Sequence, residues 1–512
     1  MKRFSIVVTA IFFAVFGIIL SACQPAGTAT DKLPAGWSII ENADWTDIVA
    51  HGVTRDTPET ESLKGMSGKE DTLIPDSPGE GIIADLGGDS PRDELLEMGA
   101  PGPPIPGEQT ESEEFPDPIV PDEDIVVDPP GMNCIPPEDA WKGPKAGQLT
   151  AGEWSDIKNY EYYLSLFKTV SDADEVSGEQ RRDGFKQYIG YFGFETRYMF
   201  TVFVECSGAP VADATVELYG SSKTALFAAK TDINGNAYLF PSTDLTGKQV
   251  TLKAKSGKYE TTTKFSYRQG DVKMVLKGTA SKAKVLDIMF VIDTTGSMGD
   301  ELQYINNELE DVINAVSSEN PGYIINLAVL FYRDIDDEYV TRYCGFTTDI
   351  AKQKHNILQQ RAYGGGDFPE AADRALKDAV SKNWSADNAT RLIFHICDAP
   401  PHSDKTSQKD YQAAIFAAAQ KGIRIIPVAS SGIDKPTEYL LRQEALLTGG
   451  TYLFLTDDSG IGSSHIRPTI GEYAVEYLNA AMVRVINEYL TGAAVEPIPY
   501  TWPVIDLEGH GQ

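Results

Sequence analysis

One carboxylate and two hydroxyls at alternate positions, Asp293-x-Thr295-x-Ser297, follow the apolar run from Val285 to Ile292 and precede an amphipathic stretch from Glu301 to Val316. A strand that turns into a helix in this way directs those three side chains toward a common point at the strand's carboxyl end, where open α/β sheets form their crevice. All three are oxygen donors, which suits a hard divalent cation: Mg²⁺ first, with Mn²⁺ or Ca²⁺ as alternatives. Two further loops carry related chemistry. Gly364-Gly365-Gly366-Asp367-Phe368-Pro369-Glu370 can approach closely because its glycines lack side chains. Cys397-Asp398-Ala399-Pro400-Pro401-His402 again follows an apolar strand. Each feature also has a plainer reading. Thr295 and Ser297 could cap a helix, as could Asp367. His402 could be loop structure, His395 lies inside an apolar strand as a satisfied core histidine would, and Asp334, Asp336, Asp337 and Glu338 could be a solvated loop or a second cation site.

The elements that would position these loops alternate between buried strands and amphipathic helices, the pattern of a doubly wound α/β domain with a mainly parallel sheet. Strands are expected at Val285–Ile292, Tyr323–Tyr332, Tyr339–Phe346, Thr390–Cys397, Ile423–Ala429 and Thr451–Leu455. Helices are expected at Glu301–Val316, Ile350–Arg361, Glu370–Trp384, Ser407–Lys421, Thr437–Thr448 and Gly471–Tyr489. The domain is bounded at about 281–495, with a tail over 496–512.

With all three loops assembled, Asp293-x-Thr295-x-Ser297, the glycine-rich loop and Asp398 resemble the metal-ion-dependent adhesion site (MIDAS) of von Willebrand factor A domains. Phe331-Tyr332-Arg333-Asp334 and Ile423-Arg424-Ile425-Ile426-Pro427-Val428 extend the resemblance across about 284–491. It implies a Rossmann-like fold, with Thr295 and Ser297 binding the metal through their hydroxyls and Asp293 and Asp398 acting mostly through waters. Thr295 replaces a serine, and Asp367 falls in the slot where many relatives have threonine, which implies an additional anionic metal donor that would tighten cation binding while weakening the metal's pull on a partner carboxylate. The implied function is metal-dependent binding of a protein ligand that offers an acidic side chain. The alternative is a structural envelope protein whose metal only stabilises the domain.

Catalysis finds little support. No Gly-x-Ser-x-Gly elbow surrounds Ser297, and the Gly364–Asp367 loop lacks the Lys-Ser or Lys-Thr of a phosphate loop. A net charge of -31 argues against nucleic acid, whose phosphates need clustered Lys and Arg.

The remainder of the 512-residue chain reads as an export and display apparatus. Lys2 and Arg3, the apolar run from Phe4 to Leu20, and Leu20-Ser21-Ala22-Cys23 resemble a bacterial lipoprotein signal over 1–22, which implies lipidation at Cys23 and a membrane-anchored exterior or periplasmic location. Residues 23–132 are rich in Pro, Gly, Asp and Glu, as a disordered tether would be; about 110 flexible residues span roughly 60 Å. A helical connecting segment is expected over 133–194, with Tyr163, Leu166 and Phe167 as a packing stripe. Over 195–280, short alternating strands between turns point to a small all-β sandwich. Gly208-Ala209-Pro210-Val211-Ala212-Asp213-Ala214-Thr215-Val216 and Thr231-Asp232-Ile233-Asn234-Gly235-Asn236-Ala237 resemble carboxypeptidase regulatory-like, transthyretin-like sandwiches, usually spacers. Tyr219, Tyr238 and Tyr259 could stack on sugars or simply dress the sheet. With Cys23 lipidated, Cys134 and Cys206 could form a disulfide, whereas Cys344 and Cys397 are expected as separate thiols.

Overall fold

A computed structural model describes residues 144–168, 184–268, 271–278 and 284–501. The signal segment, the tether, Cys23 and Cys134 lie outside the described residues.

The first described strand, β1 (Thr150–Trp154), is followed by the short helices α1 (Tyr160–Ser165) and α2 (Lys186–Phe192). Tyr163, Leu166 and Phe167 are buried here, Tyr163 edge-on to Phe167 at 5.0 Å, so the aromatic stripe is packing. The sandwich comprises β2 (Phe200–Cys206), β3 (Ala209–Pro210), β4 (Thr215–Tyr219), β5 (Phe227–Lys230), β6 (Asn236–Leu239), β7 (Gln249–Ser256), β8 (Tyr259–Ser266) and β9 (Val272–Val275). One sheet runs β3-β2-β6 with β9 parallel to β2; the other runs β5-β4-β7-β8. Strict alternation of buried and half-buried residues in β2 and β4 gives each sheet one inward face.

The α/β region contains β10 (Val285–Asp293), a 3-10 turn (Gly296–Asp300), α3 (Leu302–Glu319), β11 (Ile324–Tyr332), β12 (Thr341–Thr347), α4 (Ile350–Leu358) and α5 (Ala372–Ser381). It continues with β13 (Ala389–Cys397), α6 (Lys405–Lys421), β14 (Ile423–Ala429), α7 (Lys435–Thr448), β15 (Tyr452–Leu455), β16 (Glu476–Tyr477) and α8 (Leu478–Thr491). The sheet order is β12-β11-β10-β13-β14-β15-β1-β16. Strands β11, β10, β13, β14 and β15 are mutually parallel; β12 is antiparallel to β11, and β1 to β15.

β10 is apolar almost throughout because both faces of a central parallel strand are covered. Ile288, Phe290 and Ile292 pack with α3 and α8, while Met289 and Val291 face the core shared by α5, α6 and α7. Asp287, the polar interruption, is buried but satisfied: it accepts from Asn326 Nδ2 at 2.8 Å and Ser385 N at 2.7 Å. Aspartates at the N-caps start α6 and α7, with Asp404 accepting from the amides of Thr406 and Ser407 and Asp434 from that of Thr437.

Two differences from the sequence expectations stand out. The expected helix over Gly471–Tyr489 begins only at Leu478, because residues 476–477 pair with β1 as β16. More consequentially, β1 joins the large sheet between β15 and β16, so in sequence the sandwich lies between this outer strand and the central strand β10 of the same sheet. Polar contacts tie β1 down at both ends. Glu308 on α3 accepts from the amides of Gly147, Gln148 and Leu149 at 2.7, 2.8 and 3.0 Å. Beyond β1, Asp156 receives Arg442 of α7 in a bidentate pair at 2.6 and 2.8 Å, with both residues buried.

The sandwich is joined to the α/β region through Phe227 against Phe416 and through Arg391 of β13, which grips Asp213 at 2.8 and 3.1 Å. Burial pushes the Asp213 carboxyl up, but Arg391 and Lys230 outweigh it and hold the group below its ordinary 3.8.

Two predictions follow from these pairs. Asp156→Asn weakens the bidentate contact while Arg442 keeps Glu438 at 3.2 Å, and should cost about 1–3 kcal/mol; urea unfolding of the variant measures it, and a change within experimental error contradicts the role given to the pair. Asp213 has a depressed pKa when folded, so its stabilisation is full above the unfolded value and disappears as pH falls through the lower folded value. Asp213→Asn should therefore destabilise the protein at pH 7 and make little difference in strong acid. Equal destabilisation at both pH values would show that the ion pair is not the source.

Candidate functional site

The carboxyl ends of neighbouring strands β10 and β13 place Asp293 and Asp398 side by side in the topology. Asp293 is fully buried, and its Oδ1 accepts from Thr295 N at 2.9 Å and Thr295 Oγ1 at 2.7 Å. Thr295 Oγ1 lies 3.2 Å from Ser297 Oγ, so the alternating motif brings its oxygens together. Thr295 occupies the cap position of the 3-10 turn, yet its side chain makes no capping hydrogen bond. Asp293 Oδ2 is left buried with no partner. Burial pushes this carboxyl up to about 6.

Asp398 is likewise buried, with Oδ1 unpartnered. Burial, then the charge of Asp293, raise its carboxyl to about 8, against the opposing hydrogen bond from Ser297.

The glycine-rich loop is drawn over this pair. Gly296 N donates to Gly364 O at 3.0 Å, Tyr363 N to Thr294 O at 3.0 Å, and Glu370 N to Pro400 O at 2.9 Å, linking all three loops. Gly364 and Gly365 adopt φ of +86° and +72°, conformations that side-chain-bearing residues rarely take. A Cβ on Gly364 would lie 2.2 Å from Asp337 Oδ1, and one on Gly365 would lie 2.7 Å from Glu370 Oε1 and 3.3 Å from Thr295 Cβ. Both close approaches require glycine.

Asp367 stands exposed at the rim of this loop. The buried acid is Glu370, which the sequence reading placed inside the following helix; α5 starts only at Ala372. Glu370 Oε2 has no partner. Burial raises its carboxyl to about 10, followed by the charges of Asp293, Asp334, Asp398 and Asp337. A signal for it was available: a glutamate directly after Pro369, on a loop whose glycines already permit close approach.

The acidic run divides by role. Asp337 accepts from Gly365 N at 2.8 Å and Asp334 N at 3.0 Å, and Asp334 lies 2.6 Å from His402 Nε2. These two residues brace the glycine-rich and third loops, while Asp336 and Glu338 are exposed. His402 is thereby engaged with Asp334, and Ser297 with Thr295 and Asp398, so the two do not form a nucleophile and base. His395 is a satisfied core histidine: its Nε2 is 3.1 Å from the Tyr332 hydroxyl and its Nδ1 is 3.0 Å from Glu444. Cys206, Cys344 and Cys397 carry free thiols, and Cys206 Sγ donates to Gly278 O at 2.8 Å.

Among the described residues, no three His, Cys, Asp or Glu side chains are arranged so that they could hold a metal ion. The set at the strand ends is of another kind, two carboxylates with two hydroxyls. Its fit to a cation rests on Asp293 Oδ2 and Asp398 Oδ1, buried acceptors without donors. A hard cation satisfies such oxygens where a hydrogen-bond donor is missing.

Comparison with known proteins bears on the α/β region. Residues 287–453 match the family described as von Willebrand factor A domain. A RING finger protein of Acanthamoeba polyphaga mimivirus described as ariadne-like is 31% identical over 134 residues, 26% of this chain and 13% of that protein. The alpha-protein kinase vwkA of Dictyostelium discoideum is 26% identical over 188 residues, 36% of this chain and 29% of the kinase. The chain thus spans less than a third of either relative. Among solved structures, BatB from Bacteroides thetaiotaomicron and an aerotolerance-related membrane protein from Bacteroides fragilis are each 13% identical, with TM-scores of 0.29 and 0.27; each match covers 40% of this chain and 98% of the other. Residues 287–453 form a von Willebrand factor A domain, a non-catalytic protein-interaction fold.

Proposed function

We propose that this domain is a divalent-cation-dependent protein-binding module, with Asp293, Thr295, Ser297 and Asp398 as a MIDAS-type site and Mg²⁺ as its first-choice ion. The observation that carries the reading is the pair of buried, unpartnered oxygens on Asp293 and Asp398, two carboxylates that also bond the hydroxyls of Thr295 and Ser297. Asp293 orients Thr295 by accepting from both its amide and its hydroxyl, and the Ser297 hydroxyl donates to Asp398. Asp367, exposed above them, adds negative charge at the mouth and draws cations in. When bound, a divalent ion supplies a Lewis-acidic position that an Asp or Glu of a partner protein can fill.

A second reading has one observation in its favour. Glu370 places a third buried acid close enough to feel the charges of Asp293 and Asp398, and an ion held among such groups would serve only to stabilise the domain of a structural envelope protein. The two diverge on chelation, which abolishes partner capture in the first and lowers only the melting temperature in the second.

The display apparatus belongs to the same proposal: export, a lipid on Cys23, a long acidic tether, and a carboxypeptidase regulatory-like sandwich acting as spacer. No helix among the described residues is long and apolar enough to cross a membrane. Removing the thiol of Cys23 removes the atom that accepts the diacylglyceryl group. Cys23→Ser should therefore yield unprocessed precursor or released protein on fractionation, and wild-type migration and membrane association would refute the anchor.

Calorimetric titration of Mg²⁺ into the whole chain should show saturable binding that is lost in Asp293→Ala and Asp398→Ala, with circular dichroism unchanged because the loops sit above an independently packed core. Asp367→Thr should weaken cation binding by less than about tenfold, as an exposed charge acts through screened solvent. Flat titrations for wild type and variants alike would rule out the site. The same titration should depend on pH in one direction. Burial raises the Asp293 carboxyl to about 6, burial and the charge of Asp293 raise that of Asp398 to about 8, and a protonated carboxyl cannot serve as a ligand. Affinity should fall steadily as pH is lowered from about 8 to about 5; a pH-independent affinity would mean that these two groups do not hold the ion.

A further inference from the structure

The outermost strand of the sandwich is open on one side. Among the described residues β8 pairs only with β7, at the end of the sheet β5-β4-β7-β8. The opposite end of that sheet, β5, is the one fastened to the α/β region: Phe227 packs edge-on against Phe416 at 5.7 Å, and Lys230 Nζ donates to Ala386 O at 3.4 Å. β8 therefore forms the edge away from that junction, and Glu260, Thr262, Thr263 and Lys264 along it are exposed.

The backbone groups on its open side follow from the ladder. The β7–β8 hairpin closes through the two-residue turn Gly257-Lys258 onto the pair Ser256–Tyr259, and just past the other end Tyr267 N donates to Lys248 O at 3.0 Å. Successive residues of an antiparallel strand turn their N–H and C=O to opposite sides. The odd-numbered residues of β8 thus bond β7, and Glu260, Thr262 and Lys264 offer N–H and C=O to the open side. Such an edge is a template for another strand unless a bulge, a proline or an unmatched charge blocks it. The β7–β8 register runs unbroken from Gln249↔Ser266 to Ser256↔Tyr259, and β8 holds no proline.

The side chains define which strand fits. Tyr259-Glu260-Thr261-Thr262-Thr263-Lys264-Phe265 is self-complementary about Thr262: threonines at the centre, opposite charges outside them, an aromatic at each end. A second copy laid antiparallel about Thr262 sets Glu260 opposite Lys264 of that copy, and Lys264 opposite its Glu260. Directly opposed residues share a face of the sheet, so both charge pairs form on the outer face and Tyr259 meets Phe265 on the other. Neither Glu260 nor Lys264 makes an ion pair among the described residues. The neighbouring lysines do not oppose the junction. Lys255 lies across from Glu260 on β7, which leaves that carboxylate between two lysines, and Lys253 rests over the Tyr219 ring at 4.7 Å. Both β8 strands separate Lys253 from its counterpart by about 14 Å at ordinary strand spacing, beyond the screening length.

We propose that β8 is a homodimerisation edge, through which two copies of this chain join by antiparallel β8–β8 pairing about Thr262 into one continuous sheet. The interface is isologous and closed, each copy offering the same strand. A single strand pair buries less than the roughly 1,200 Å² of a standard stable interface, so the dimer is weak in dilute solution. It presents two von Willebrand factor A domains together, and a ligand with two epitopes gains avidity from the pair. None of this depends on the cation-site reading.

Sedimentation equilibrium of the whole chain from about 5 to about 500 µM should show a monomer–dimer equilibrium that chelator leaves unchanged. Glu260→Lys and Lys264→Glu alter exposed positions and should leave the circular dichroism of the fold intact. Each places like charges opposite one another at both ends of the junction and should weaken dimerisation by about tenfold or more. An equimolar mixture of the two variants should recover it, because each lysine of one then meets a glutamate of the other. A wild type that stays monomeric throughout overturns the proposal and leaves the edge to a strand of another protein. Dimerisation that both single variants retain, or that the mixture fails to recover, places the contact on another surface or in another register and overturns it as well.

Discussion

Two carboxylates buried at the ends of adjacent parallel strands, with no lysine or arginine among the described residues paired to them, are the constraint around which this domain is organised. β10 and β13 are neighbours in the sheet, so Asp293 and Asp398 are forced together by topology. Each retains an oxygen without a donor. Leaving an ionised group buried and uncompensated costs several kcal/mol, and here the cost is compounded by Glu370, whose own unpartnered oxygen senses both aspartates. Arginines are used freely elsewhere in the fold, as with Arg442 on Asp156 and Arg391 on Asp213. That none of them pairs with Asp293 or Asp398 follows if the missing positive charge arrives from solution.

The surrounding structure holds that arrangement rigidly. Asp337 receives the amide of Gly365, Asp334 meets His402, and Arg333 donates to Thr294 O, so three loops are fastened by side chains that lie outside the donor set. Below them, strands β10, β11 and β13 are locked by a two-faced core, with α3 and α8 on one side and α5, α6 and α7 on the other. β1 extends the sheet from the far end, pinned by Glu308 and Arg442. Because β1 precedes the sandwich and β10 follows it, sandwich and α/β region share one framework, with Asp213 and Phe227 bearing on it directly.

Much of this was legible from residue types. The continuous apolar runs of β10, β13 and β14 and the strand-to-turn motif at Asp293 declare themselves, because burial on both faces leaves little choice of residue. β1 was not legible: Thr150-Ala151-Gly152-Glu153-Trp154 is short and lacks alternation, and its pairing with Tyr452–Leu455 lies some three hundred residues away in sequence. Glu370 was missed for a different reason. A glutamate before an amphipathic stretch resembles an ordinary first-turn residue, and only the later start of α5 turns it toward the site. Asp367 drew attention by its position after three glycines, yet it is exposed while Glu370, three residues on, is buried. The start of α8 was misplaced because residues 471–477 carry apolar side chains at spacings that do not distinguish a helix from an edge strand.

The account stands on a cation at the ends of β10 and β13, and the most direct measurement is anomalous diffraction from crystals grown in Mn²⁺. The account predicts one strong peak about 2 Å from Thr295 Oγ1 and Ser297 Oγ, an ordinary metal–oxygen distance for a small hard ion, with Asp293 and Asp398 around it. A map with no peak there at saturating Mn²⁺, or with its principal peak on the Asp334–Glu338 run instead, would contradict it.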